Sequence, residues 1–155
     1  MAHIEIATFV DTGEAWHANV SDTVGVGMRN EKNDVMLIQA FINLIGFNPV
    51  RAKDFFDIKP GDTLPKPDGS ILDSKTIRAI WRFQEKMEKD KELLLKDGII
   101  HPASYRYRKI AKGKLMTITS LNQYALGVAG MVFKSSNLRT LLLKIAPGLL
   151  LPIRL

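Results

Sequence analysis

This sequence predicts a mainly α-helical domain with a short N-terminal strand and a basic, apolar C-terminal extension. Three observations predict it. Two segments repeat apolar residues at three- and four-residue intervals, the signature of helices with one buried face. Asp-Gly pairs at 68–69 and 97–98 mark turns between such segments. The 155 residues are 46% hydrophobic, 8% aromatic and 25% charged, a composition that folds and is neither collagenous nor disordered. The chain has no cysteine, which removes disulfides, thiolate zinc sites and cysteine nucleophiles.

At the N-terminus, His3 to Phe9 alternates polar and apolar residues as a strand does, and Thr12-Gly13 suits a turn after it. Met1 to Val10 carries neither a basic n-region nor an apolar h-region, so no Sec signal is expected. Cytoplasmic synthesis, with any delivery to the periplasm or wall by a non-Sec route, is the expectation. From Asn33, the residues Val35, Ile38, Ile42 and Ile45 line one helical face, widened by Leu37, Phe41 and Leu44. Asn33 or Asp34 would cap this helix and Gly46 would stop it. Phe47 to Ser70 holds Pro49, Pro60, Gly61, Pro65, Pro67 and Gly69, which predicts a long ordered loop or lid instead of a helix.

A second helix is expected from Asp73 or Ser74 to about Lys91, with Ile77, Ile80, Trp81, Gln84 and Met87 on its apolar face and Phe83 widening it. A third, shorter helix would follow Asp97-Gly98, opening at Pro102, burying Tyr105 and Ile110, and ending at Gly113. Leu115 to Phe133 is free of charge and has the length of a membrane span, but its first half is too polar for one. Val128–Phe133, Leu141–Ile145 and Leu149–Leu155 are apolar runs that fit short strands or a second helical pair packed on the core. The expected organisation is therefore 1–21 as an N-terminal strand and extension, 22–113 as the central domain and 114–155 as a C-terminal extension packed on that domain or forming an interface.

The net charge of +6 conceals a division. Residues 1–97 hold 13 Lys and Arg against 16 acids, whereas 98–155 hold nine basic residues and no acid. Such a segment favours anionic partners, and it also suits a protein whose faces differ in sign. His3, His17 and His101 lack the spacing of a metal site, so no metal or cofactor is expected. Ser74 and Ser104 read as helix caps, not nucleophiles, and Gly25-Val26-Gly27 reads as a tight turn.

Three stretches, in order, resemble the PGBD-like peptidoglycan-binding domain. The first is Val24-Gly25-Val26-Gly27 followed by Asn30, Asp34-Val35, Gln39 and Asn43. The second, and most specific, is Asp68-Gly69-Ser70-Ile71 with Thr76-Ile77, Ala79-Ile80 and Phe83-Gln84. The third is Asp97-Gly98 with Ile100 and Pro102. The spacing departs from the family pattern after Ile71, the loop 47–67 is longer than usual, and 114–155 has no counterpart.

The resemblance implies a three-helix bundle and non-catalytic binding of bacterial cell-wall peptidoglycan, with a groove that delivers a partner hydrolase or a machine component to the wall. Its expected ligand-binding residues are Asp68, Gly69, Thr76, Gln84, Tyr105, Arg106 and Arg108. In them, aromatic rings would stack on sugars and arginines would pair with stem-peptide carboxylates. The same residues also have ready structural roles in turns and core. Three rivals stand beside this reading: a structural or adaptor component of a phage or contractile secretion system, membrane binding through 114–155, and a hydrolase. Nucleic acid ranks below these, because no binding motif accompanies the basic residues.

Overall fold

The computed structural model describes residues 1–9, 13–70, 74–90, 96–103, 116–134 and 137–154. Their order is β1 (His3–Phe9), β2 (Gly13–Asn19), α1 (Lys32–Ile45), α2 (Pro49–Phe56), α3 (Ser74–Lys89), α4 (Thr117–Met131), α5 (Leu138–Ile145) and β3 (Ile153–Arg154). The fold is mainly helical with one small sheet, in the order β2-β1-β3. β1 and β2 pair antiparallel from His3 opposite Asn19 to Phe9 opposite Gly13, while β3 lies parallel to β1 with Ile153 opposite Ile4. The expected N-terminal strand is thus one arm of a hairpin, and its third strand comes from the far end of the chain.

α1 is the central element. Val35, Leu37, Ile38, Phe41, Leu44 and Ile45 are all buried, so the helix is enclosed on nearly every side. Its cap is neither Asn33 nor Asp34 but Glu31, whose carboxylate accepts from the amides of Asn33 and Asp34. Asp34 is buried and faces backwards, accepting from the Ser21 amide at 3.0 Å, the Ser21 hydroxyl at 2.9 Å and the Asp22 amide at 3.0 Å. That arrangement ties the end of the hairpin to the start of the helix.

The loop expected over 47–70 contains a helix, α2. Pro49 sits in its first turn, where the missing N–H costs nothing, and the Asn48 side chain caps it through the Val50 amide at 2.8 Å. Proline density therefore misled here, because one of those prolines initiates a helix. Phe55 and Phe56 of α2 meet Phe83 of α3 and Tyr124 of α4, with Phe55 and Tyr124 ring centres 4.7 Å apart and Phe56 and Phe83 5.8 Å apart. Such offset aromatic packing joins three helices in one cluster.

α3 buries Thr76, Ala79, Ile80, Phe83, Gln84 and Met87, a stripe of alternating three- and one-residue steps. Trp81 lies beside that stripe and is 38% exposed, so it does not fill the core as the periodicity predicted. The charge-free run at 115–133 contains α4, whose Ile118, Leu121, Ala125 and Val128 pack inside the protein. No helix among the described residues is long and apolar enough to cross a membrane. One core cluster runs from Ala2 through α1, α3 and α4 to Leu151, crossing residues 21 and 113. The helix expected over 102–113 falls outside the described residues, except that Pro102 and Ala103 are not helical.

Asp57 closes α2 in a left-handed conformation, φ 53°, and its carboxylate accepts from Arg78 of α3 at 2.9 Å. This hydrogen bond, with the positive charges of Arg78, Arg82 and Lys59, holds the Asp57 pKa below its ordinary value of 3.8. A depressed carboxylate pKa stabilises the fold above that ordinary value, and the contribution is lost as pH falls through the folded value. Asn tolerates the same backbone conformation. Urea unfolding of Asp57→Asn is therefore expected to give lower stability than wild type at pH 7 and pH 5, with the curves converging below about pH 3.8. A difference that persists unchanged at the lowest pH would show that charge is not its origin.

Candidate functional site

Four of the residues expected at a site, Asp68, Gly69, Thr76 and Gln84, fall within the described structure, and they belong to two copies of one arrangement, the first three to one and Gln84 to the other. In the first, Gln39 projects from α1, fully buried. Its Oε1 accepts from the Gly69 amide at 2.9 Å, while its Nε2 donates to the Ser70 carbonyl at 3.3 Å and to the Thr76 hydroxyl at 3.2 Å. In the second, Gln84 projects from α3, also fully buried. Its Oε1 accepts from the Gly98 amide at 2.7 Å, and its Nε2 donates to the Ile99 carbonyl and to the Thr117 hydroxyl, both at 3.0 Å. Each glutamine thus joins a helix, an Asp-Gly turn and a threonine in the first turn of the next helix in space.

The turns match in detail. Asp68 accepts from the Ser70 amide and Asp97 from the Ile99 amide, each at 2.9 Å. Gly69 and Gly98 follow them at φ 71° and 74°, where a side chain is strained. A Cβ on Gly69 would lie 2.6 Å from the Lys32 carbonyl oxygen, and one on Gly98 would lie 2.5 Å from Nε1 and Cζ2 of Trp81. The Ser70 hydroxyl and amide hold the exposed Asp68 carboxylate below its ordinary pKa.

These positions correct the site expectation for Thr76 and Gln84. Both are completely buried and bonded within the chain, where they shape the turns instead of lining a surface. Gly69 is buried against Lys32, which leaves Asp68 as the exposed member of the first turn. Tyr105, Arg106 and Arg108 lie outside the described residues. The periodicity missed Trp81 as a surface residue. Its position one step off the 76-79-80-83-84-87 stripe is the signal that would have found it.

The second turn carries the more distinctive surface. The Trp81 indole rests on Gly98, and His101 Nε2 lies 2.8 Å from Asp97 Oδ2 at the same turn. Val24 and Ile100 exchange backbone hydrogen bonds of 3.0 and 2.8 Å, bringing the Gly25-Val26-Gly27 turn alongside. Val26 is 60% exposed there. An exposed indole edged by a carboxylate and an imidazole can stack on a sugar ring and hydrogen-bond its hydroxyls. Nearer the first turn, a cleft of about 540 Å³ is lined by Asp57, Asp62, Thr63, Lys75 and Arg78. Its cations are engaged, Arg78 with Asp57 and Lys75 with the Thr63 hydroxyl. No cluster of three or more metal-ligating side chains exists among the described residues. No family model, curated protein or solved structure matches the chain.

Replacing Gln84 with Ala would leave the Gly98 amide and the Ile99 carbonyl without their partner, at about 1–3 kcal/mol each. Gln84→Ala is expected to lose about 3 kcal/mol of unfolding free energy in urea. In a Trp16→Phe background, the Trp81 emission should shift to the red as its seat loosens. An unchanged spectrum and stability would refute the clamp.

Proposed function

We propose that this domain is a non-catalytic binding module for bacterial cell-wall peptidoglycan, with a PGBD-like helical core. The observation that carries the reading is the indole of Trp81, half-exposed and seated on the second Asp-Gly turn. Support comes also from the motif residues themselves. The Asp-Gly and Gln positions that resemble the family, with Thr76, interlock in two equivalent clamps, the second completed by Thr117 from outside the resembling stretches, which is a physical reason for the motif residues to occur together. In this reading Asp68 and the Trp81 platform face the polymer, while Gly69, Thr76 and Gln84 hold the turns. Tyr105, Arg106 and Arg108, shortly after the second turn in sequence, supply stacking and carboxylate pairing. The module would bring a partner hydrolase or machine component to the wall.

A second reading, an adaptor component of a phage or contractile secretion system, is favoured by a different feature. Phe47 and Phe133 touch with ring centres 5.0 Å apart while 58% and 36% exposed, and Met131 beside Phe133 in sequence is 68% exposed. Exposed apolar groups of this kind suit a protein contact.

Co-sedimentation with purified sacculi separates the two. Wild type is expected in the pellet, and Trp81→Ala is expected to bind about tenfold more weakly, a loss near 1.4 kcal/mol. Its melting temperature should fall by no more than about 4 °C, as for a partly exposed residue. Wild type that remains in the supernatant would overturn wall binding and leave the adaptor reading.

A further inference from the structure

A groove of about 560 Å³ opens on the opposite kind of surface, lined by Ile4, Trp16, Leu126, Leu138, Arg139 and Ile153. It is built from β1, β2, β3, α4 and α5, all outside the segment that resembles the wall-binding module. Its volume is in the range of sites that enclose a small ligand or a few residues of a peptide. The floor is aliphatic, from Ile4, Leu126 and Leu138. One wall is the Trp16 indole, 50% exposed, and Ile153 is 48% exposed on the edge strand.

Arg139 gives the groove its charge. Its Nε donates to the Leu151 carbonyl at 2.8 Å, which fixes the side chain and leaves the terminal nitrogens for another acceptor. Among the described residues no carboxylate pairs with it, although it is half-buried. The sequence from 98 onward contains no acidic residue at all. A fixed guanidinium of this type matches a carboxylate through two parallel hydrogen bonds.

β3 decides what carries that carboxylate. It is an edge strand of two residues, paired on one side with β1, and an edge presents backbone donors and acceptors to an incoming chain. An acyl chain would fill the aliphatic floor and leave those groups unanswered, whereas a peptide answers them by strand addition. We propose that this groove binds the C-terminal end of a peptide with an apolar last residue. Its carboxylate pairs with Arg139, its last side chain packs on Leu126 and Leu138 against the Trp16 indole, and its backbone runs beside β3. This site is independent of the wall-binding reading.

Calorimetric titration of the whole chain tests it with three probes: acetyl-Ala-Val-Leu as the free acid, the same peptide as its C-terminal amide, and decanoate. The free acid is expected to saturate one site, the amide to bind at least about tenfold more weakly, and decanoate to bind more weakly than the acid. Arg139→Gln should reduce the acid to the affinity of the amide, and Trp16→Ala should weaken both peptides alike. Equal binding of acid and amide, or no binding of either, would overturn the proposal. Decanoate binding as tightly as the acid would reassign the groove to acyl chains. A concentration-dependent dimer in sedimentation velocity that Trp16→Ala abolishes, with neither peptide binding, would assign the face to a second copy of this chain. The acid and amide arms use the native protein, so they decide the matter even if a variant fails to fold.

Discussion

Six side-chain carboxamides hold this fold together by both donating to and accepting from backbone. Asn19 exchanges hydrogen bonds with Ala103, Asn30 with Gly25, Asn33 with Leu150 and Asn122 with Ala18. Gln39 and Gln84 do the same across two residues each, at the Asp-Gly turns. A carboxamide offers one carbonyl and one amino group, so it can complete a broken ladder as a peptide group would. It does so without a charge, which would be costly to bury. The irregular segments between helices can therefore run close to the core, because their donors and acceptors are answered from helices and strands already in place.

The repeated glutamine clamp explains the pattern that looked like a ligand-binding signature. Helix, Asp-Gly turn and threonine recur because Gln39 and Gln84 each need one amide donor, one carbonyl and one hydroxyl to be satisfied. Spacing is free to vary so long as those three arrive at the glutamine. Gly69 lies 30 residues from Gln39 in sequence, and Gly98 lies 14 from Gln84. The residues with the strongest pattern are consequently interior, and what the turns display outward is Trp81 at the second and Asp68 at the first.

What could be read in advance follows the same division. α1, α3, β1 and the Asp-Gly turns were legible, since each depends on local periodicity or on a glycine with positive φ. β2 was not, because the segment around Trp16 and His17 makes sense only once Asn19 and Asn122 bind it to distant backbone. α2 was hidden by prolines that are neutral at a helix start, and α4 by a uniformly apolar composition with little one-sidedness. Of the site, the turn residues were identifiable but not their direction. Burial of Thr76 and Gln84 depends on hydrogen bonds to segments that no local pattern links.

The clamps also cross the boundaries that composition suggested. Asn33 at the start of α1 holds Leu150, and Asn122 of α4 holds Ala18 of β2, so the basic C-terminal part is fastened to the hairpin and to the first helix of the acidic part. Leu121, Leu142 and Leu151 share one core with Ile4 and Phe41. A truncation at residue 21 or 113 would therefore strip backbone partners from buried amides as well as remove apolar surface, two losses that compound. Among the described residues, Arg139 and Lys144 ride on α5, whose Leu138 and Leu142 are part of that core. Its fixed arginine, Arg139, is positioned by the tail that β3 anchors, which makes the sheet edge and the charge beside it a single surface.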